Sequence, residues 1–253
     1  MRSSGTTTNS IRIRARAGVA RALPLVLVGL AAIGCNGVRR AALKTVDPTL
    51  AKSPRWERQR AGLGEYELGP FTIERARVRE QAIGQDLGTP EAAPRKPGWR
   101  YDLTLTVRGP ARSYTATCTA HRLPTMGADY GEVADVANDE VRIECELQGD
   151  ARWHLLAQGR LDKNLGGELE PEGATAIAPL TLEVLLWVAR LKLIRRHLPD
   201  PVLQLRRDRT AIAAMIAARP EWAWVAPTEQ PELQGIAITA MAALHALPLG
   251  FDE

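Results

Sequence analysis

The chain has 253 residues, with 33 basic and 29 acidic side chains and a formal net charge of +4 at pH 7. Five basic residues and no acid precede Cys35, so the remainder carries 28 basic against 29 acidic groups. That near-neutral balance argues against a nucleic-acid partner, which requires a basic surface excess; the 219 residues from Cys35 onward suffice for one sizeable core.

Arg2, Arg12, Arg14, Arg16 and Arg21 lead into an apolar run over residues 23–34, 12 residues long. A spanning helix needs about 20 apolar residues, so this pattern reads as a secretory signal core. Its end, Ala31-Ala32-Ile33-Gly34-Cys35, resembles the lipobox of bacterial lipoproteins, with Ala32 where Leu is commonest. The resemblance implies cleavage before Cys35, a thioether-linked diacylglycerol on its sulfur and an acylated amino terminus. Two or three acyl chains hold a protein stably to a membrane. Asn36 follows, where an Asp often signals inner-membrane retention in that family. The expected location is therefore the outer membrane of the bacterial cell envelope. The alternatives are an ordinary signal peptide cut near Ala32 or Gly34, giving a secreted protein, and an uncleaved anchor. The resulting division is a signal over 1–34, a polar tether over 35–63 and a β-rich globular domain over 64–253.

The tether contains Pro48, Pro54 and the charged run 55–60. Period-two alternation then begins, with Phe71 and Ile73 in one phase and Ala76 and Val78 in the other. That switch predicts a bulge or bend. Residues 84–98 are a loop rich in Pro and Gly. Tyr101, Leu103, Leu105 and Val107 alternate with polar residues, as do Tyr114, Ala116, Cys118 and Ala120 beyond a Gly109-Pro110 turn. This pair reads as a hairpin. After an acidic loop over 124–140, the phases of 141–147 and 153–157 read as a second hairpin. A strand candidate falls at 174–177. Residues 180–198 fit helix and strand patterns, and the helix is favoured because Arg195, Arg196 and His197 stand before Pro199 like a helix end. Residues 203–217 read as a hairpin turning at Arg206-Arg207-Asp208-Arg209, and Trp222 and Trp224 as a short strand.

The last element is a helix over 231–247. Pro231 suits a first turn, and Glu232 suits the positive end of the helix dipole. Residues 235–247 are apolar on every side except Thr239 and His245. A helix apolar all round is buried all round, and 13 residues span about 20 Å, too little for a bilayer. The fold class expected is mainly β (α+β): an antiparallel sheet or barrel-like domain packed around this apolar C-terminal helix. In that respect the chain resembles the tubby-like and LURP-one-related barrels. That resemblance implies association with membrane phospholipids.

Cys118 and Cys145 fall on the apolar phase of two predicted strands. An exported chain meets an oxidising compartment, and with Cys35 taken by lipid two thiols remain. A Cys118–Cys145 disulfide is expected, the alternative being two buried free thiols. His121, His154, His197 and His245 show no metal-ligand spacing. His121 and His154 fall near strand ends, where Glu144 would have to join them to make a site. Ser53 and Ser113 lie outside any nucleophile motif, and no phosphate-cradling glycine loop occurs. No cofactor and no catalytic set is therefore assigned. The reading is a non-enzymatic envelope lipoprotein acting as a structural or binding module. An enzyme with a site assembled only in space is the rival.

Overall fold

Period-two alternation governs most of the chain. Among the described residues it gives β1 (Trp56–Arg60), β2 (Tyr66–Leu68), β3 (Phe71–Ile73), β4 (Arg77–Ile83), β5 (Gly98–Arg108), β6 (Ser113–Arg122), β7 (Glu140–Gln148), β8 (Arg152–Arg160), β9 (Gly166–Pro171), β10 (Leu180–Leu186), β11 (Pro201–Arg207), β12 (Thr210–Ile216) and β13 (Trp222–Val225). A 3-10 turn, Leu50–Lys52, precedes them, and helix α1, Pro231–Ala246, follows. The computed structural model describes residues 43, 45–83, 98–122, 140–160, 165–173, 177–186, 201–216 and 222–248. The signal segment, Cys35 and His197 lie outside them, as do the loops predicted over 84–98 and 124–140 except for their last residues, Gly98 and Glu140, which begin strands.

Every strand pairs antiparallel with its sequence neighbour except β3 with β4. β1 closes against β13, and β3 closes against β5 through Thr72↔Arg108 and Ile73↔Val107. Twelve strands thus form a closed barrel, and β4 lies beside β5 as an extra strand. Closure leaves the ring itself without edges. In β7 the inward Val141, Ile143, Cys145 and Leu147 are buried, while Glu140, Arg142, Glu144 and Glu146 face solvent. β5, β6 and β8 alternate in the same way. Apolar inside and charged outside is the reverse of a lipid-embedded barrel. Among the described residues no helix is long and apolar enough to cross a membrane.

The barrel interior is filled by α1, which packs on β5, β6, β7 and β12. Leu233 and every residue from Gly235 to Leu244 are buried. Full burial of Ile236, Ile238, Met241 and Leu244 contributes about 1.5–3 kcal/mol each. Ala237, Ala240, Ala242 and Ala243 keep the helix thin enough to be enclosed. The buried Thr239 donates its hydroxyl to the Gly235 carbonyl at 2.7 Å, so no polar group is stranded there. At the helix start, Glu232 accepts from the Asp150 N–H at 2.7 Å and pairs with Arg112 at 3.1 Å. The Tyr114 hydroxyl donates to the Pro231 carbonyl at 3.3 Å. These contacts clamp the helix to the turns of the β5–β6 and β7–β8 hairpins.

The expected bend after Phe71 is a β-bulge. The register slips by one residue between Ile73↔Val107 and Arg77↔Thr104, so the three residues 74–76 stand against the two residues Leu105 and Thr106. Both predicted hairpins form, as does the one turning at Arg206–Arg209, where Asp208 and Arg209 take φ of 51° and 79°.

Two readings are corrected. The helix favoured over 180–198 is instead strand β10 over Leu180–Leu186; residues 187–198 lie outside the described residues. Leu180, Leu182 and Val184 point into the barrel, while Leu185 packs in a second apolar cluster outside it. A strand with apolar residues on both faces loses its period-two signature. The polar tether over 35–63 includes barrel strand β1, which pairs with β13 and β2. Its upstream part also straps the outer face: Val46 and Leu50 sit with Val202, Ala214, Ile216 and Trp224 in that second cluster. The buried Gln204 accepts from the Asp47 N–H beneath this strap at 3.2 Å. The strand candidate at 174–177 lies mostly outside the described residues, and β9 precedes it.

Candidate binding groove on the outer face

Past the bulge β4 pairs only with β5 among the described residues, and a groove of about 1300 Å³ opens on the outer face of β4–β6. Arg75, Arg77, Arg79 and Arg100 line it, with Thr104 and Thr117 on its floor. The alternation of β5 and β6 puts these short hydroxyl side chains outward in rows, so the floor is low and polar. Arg77 stands opposite Thr104 and Arg79 opposite Asp102, on the solvent side of the sheet.

The charges are unevenly paired. Arg100 bonds Asp102 at 3.0 Å, and the Thr119 hydroxyl donates to the same carboxylate at 3.1 Å. The Arg100 hydrogen bond, with smaller help from Thr119, holds the Asp102 pKa below the usual carboxylate value. Arg108 is shared by Glu65 and Glu74 at 3.3 and 3.2 Å. Arg75, Arg77 and Arg79 have no acidic partner among the described residues and are exposed. The groove therefore carries a net positive rim, in a body that is otherwise near neutral. Exposed arginines over a row of hydroxyls suit carboxylate or phosphate oxygens, which accept from both groups.

Cys118 and Cys145 stand directly opposite each other on β6 and β7, buried inside the barrel, and form a disulfide. His121 pairs in register with Arg142, His154 with Glu146 and Glu144 with Thr119. Glu144, Glu146 and His154 line one shallow groove on the outer surface without His121, and among the described residues no three metal-ligating side chains gather. His245 occupies the last turn of α1, half-buried. Ser113 begins β6 at a turn, and Ser53 ends the 3-10 turn. The Arg206–Arg209 turn is largely neutralised. Arg206 pairs with Glu183 at 2.8 Å and Asp47 at 3.7 Å, and Arg207 grips both Glu229 oxygens at 2.7 and 3.0 Å.

Arg75, Arg77 and Arg79 were not singled out by sequence reasoning. Their spacing at i, i+2, i+4 after a phase switch was the available signal: on a strand it marks a single charged face. The chain matches no family model, no curated protein sequence and no solved structure.

Proposed function

We propose that the protein is a non-enzymatic binding or structural module held at a bacterial envelope membrane by lipid on Cys35. The observation that carries the module reading is the filling of the barrel by α1. A carrier of lipid or another small molecule needs a hollow centre, and here that volume is protein core. Recognition then falls to the outer surface, where the groove over β4–β6 offers arginines without an acidic partner among the described residues. The anchor rests on the signal core and the Ala31–Cys35 pattern, and Asn36 points to the outer membrane. Replacing Cys35 with Ala tests it. The variant should leave the detergent phase or stall in processing, and mass spectrometry of the wild-type protein should find a lipid-modified Cys35 peptide. Unchanged partitioning and an unmodified peptide contradict the anchor.

A second reading is favoured by one observation, the closed antiparallel barrel wrapped around an apolar C-terminal helix. That arrangement is similar to the tubby-like barrels and implies phospholipid association. Flotation of the unlipidated domain with phosphatidylglycerol vesicles separates the two. Binding without Cys35 lipid supports the second reading; its absence leaves the anchored module.

A further inference from the structure

We infer that the outer edge of β4 is a docking site for an extended acidic segment of another protein, added to the sheet as one further strand. The inference deepens the binding-module reading and rests on it.

The edge is open. β4 pairs with β5 over seven residues and, among the described residues, with nothing on its other side. The Glu74 N–H donates to the Thr106 carbonyl at 2.9 Å. Backbone groups alternate sides along a strand, so Thr104, Asp102 and Arg100 also turn theirs toward β4. Their opposites Arg77, Arg79 and Gln81 use their backbone groups on β5. Val78, Glu80 and Ala82 therefore present N–H and C=O groups to the free edge. A strand laid along it meets these groups, as in known cases of β-augmentation.

The side chains select what can lie there. Residues of an added strand directly opposite Arg77 and Arg79 share their outward face, within reach of both guanidinium groups. Carboxylates two residues apart match that spacing. On the other face Val78, 39% exposed, and Ala82 flank Glu80, so small or branched apolar residues fit between the acids. The same charges oppose a second copy of this chain. In the fully overlapped antiparallel register, Glu80 stands against Glu80 of the copy. Centring the pair on Arg79 sets Arg79 against Arg79, and centring it on Gln81 avoids like charges but overlaps only the second half of the strand and leaves Arg77 without a partner. Like charges directly opposed are destabilising, and charged edges commonly prevent self-association. The partner is thus a different chain, alternating Glu or Asp with Val or Thr.

The test uses the full chain in detergent and two labelled peptides, one alternating Glu with Val and one alternating Lys with Val. Fluorescence anisotropy should show saturable binding of the Glu peptide and about tenfold or more weaker binding of the Lys peptide, the scale of two exposed charge pairs. Glu80→Pro removes an N–H on the free side only, a place where an edge strand tolerates proline. It should abolish binding while the melting temperature is kept. Arg77→Glu with Arg79→Glu should reverse the preference to the Lys peptide. Equal binding of the Glu peptide by the Glu80→Pro chain overturns strand addition and leaves the arginines as a carboxylate site. Binding of phosphatidylglycerol vesicles that is lost in the double variant but kept in Glu80→Pro assigns the groove to lipid headgroups instead. Equal affinity for the two peptides, or none for either, overturns the inference, while the Cys35 fractionation still judges the anchored module separately.

Discussion

The ring of Tyr114 on β6 lies against Gly235 of α1, in the space where any other residue would place its Cβ. Glycine inside a helix costs about 1 kcal/mol relative to alanine, so its presence here reflects close approach rather than helix preference. Gly235→Ala should destabilise the domain by about 1–3 kcal/mol, the usual cost of overpacking, despite its better helix propensity. Tyr114→Leu in the same chain should recover part of that loss. Urea unfolding of the two single variants and the double variant should show coupling above about 0.5 kcal/mol, as for residues in contact.

The disulfide gives a second prediction. Cys118 and Cys145 are 27 residues apart and join neighbouring strands inside the barrel. Constraining a loop of that size in the unfolded chain stabilises by about 3–4 kcal/mol on the chain-entropy model. Cys118→Ala with Cys145→Ala should lower stability by about that amount, with far-ultraviolet circular dichroism unchanged. Non-reducing peptide mapping of the wild type should recover the two cysteines linked.

Alkaline pH should weaken the barrel. Burial, and secondarily the charge of Glu232, raises the Tyr114 pKa above its ordinary 10.0; burial and Glu80 do the same for Tyr101. A raised folded-state value means that the folded chain holds the proton more tightly than the unfolded chain. The contribution is complete below pH 10 and is lost as pH rises through the folded-state values. Urea midpoints should therefore fall between neutral pH and about pH 11. Tyr114→Phe should lower stability at neutral pH by about 1 kcal/mol, through loss of the hydrogen bond to Pro231, and should flatten the alkaline fall.

The strap ahead of β1 is part of the fold. Leu50 is 2% exposed and sits with Trp224 and Ile216 on the outer side of the sheet. Leu50→Ala should cost about 2–4 kcal/mol, as for other buried leucines. A loose tether predicts a change within about 0.5 kcal/mol. Urea unfolding decides between them.

The parts of the fold legible in the sequence were those with one wet face. Tyr101 to Val107 and Val141 to Leu147 alternate cleanly because their partners in the alternation point to solvent. The all-apolar run in α1 was legible for the opposite reason: it has no wet face at all. β10 was misread because Leu185 is drawn into the cluster beneath the strap. β1 was missed because Arg58 and Arg60 remain exposed, and only Trp56 packs against the core. β9 was missed because Leu169 is its one buried side chain, while Gly167 is needed where the backbone of β8 comes close. The groove was invisible for a topological reason. Arg77 and Arg79 gain a free edge because β3, rather than β4, closes the ring against β5, and strand pairing is not written in local spacing.

The central claim is that α1 lies inside the barrel as its core. Native-state hydrogen exchange of the amides from Ala237 to Leu244, followed against urea, tests it most directly. Enclosed amides exchange only when the whole barrel opens. Their exchange free energies should equal the global unfolding free energy, with the same urea dependence. Exchange from these residues that is faster than from β5 to β8 and insensitive to urea would place the helix on the surface and contradict the account.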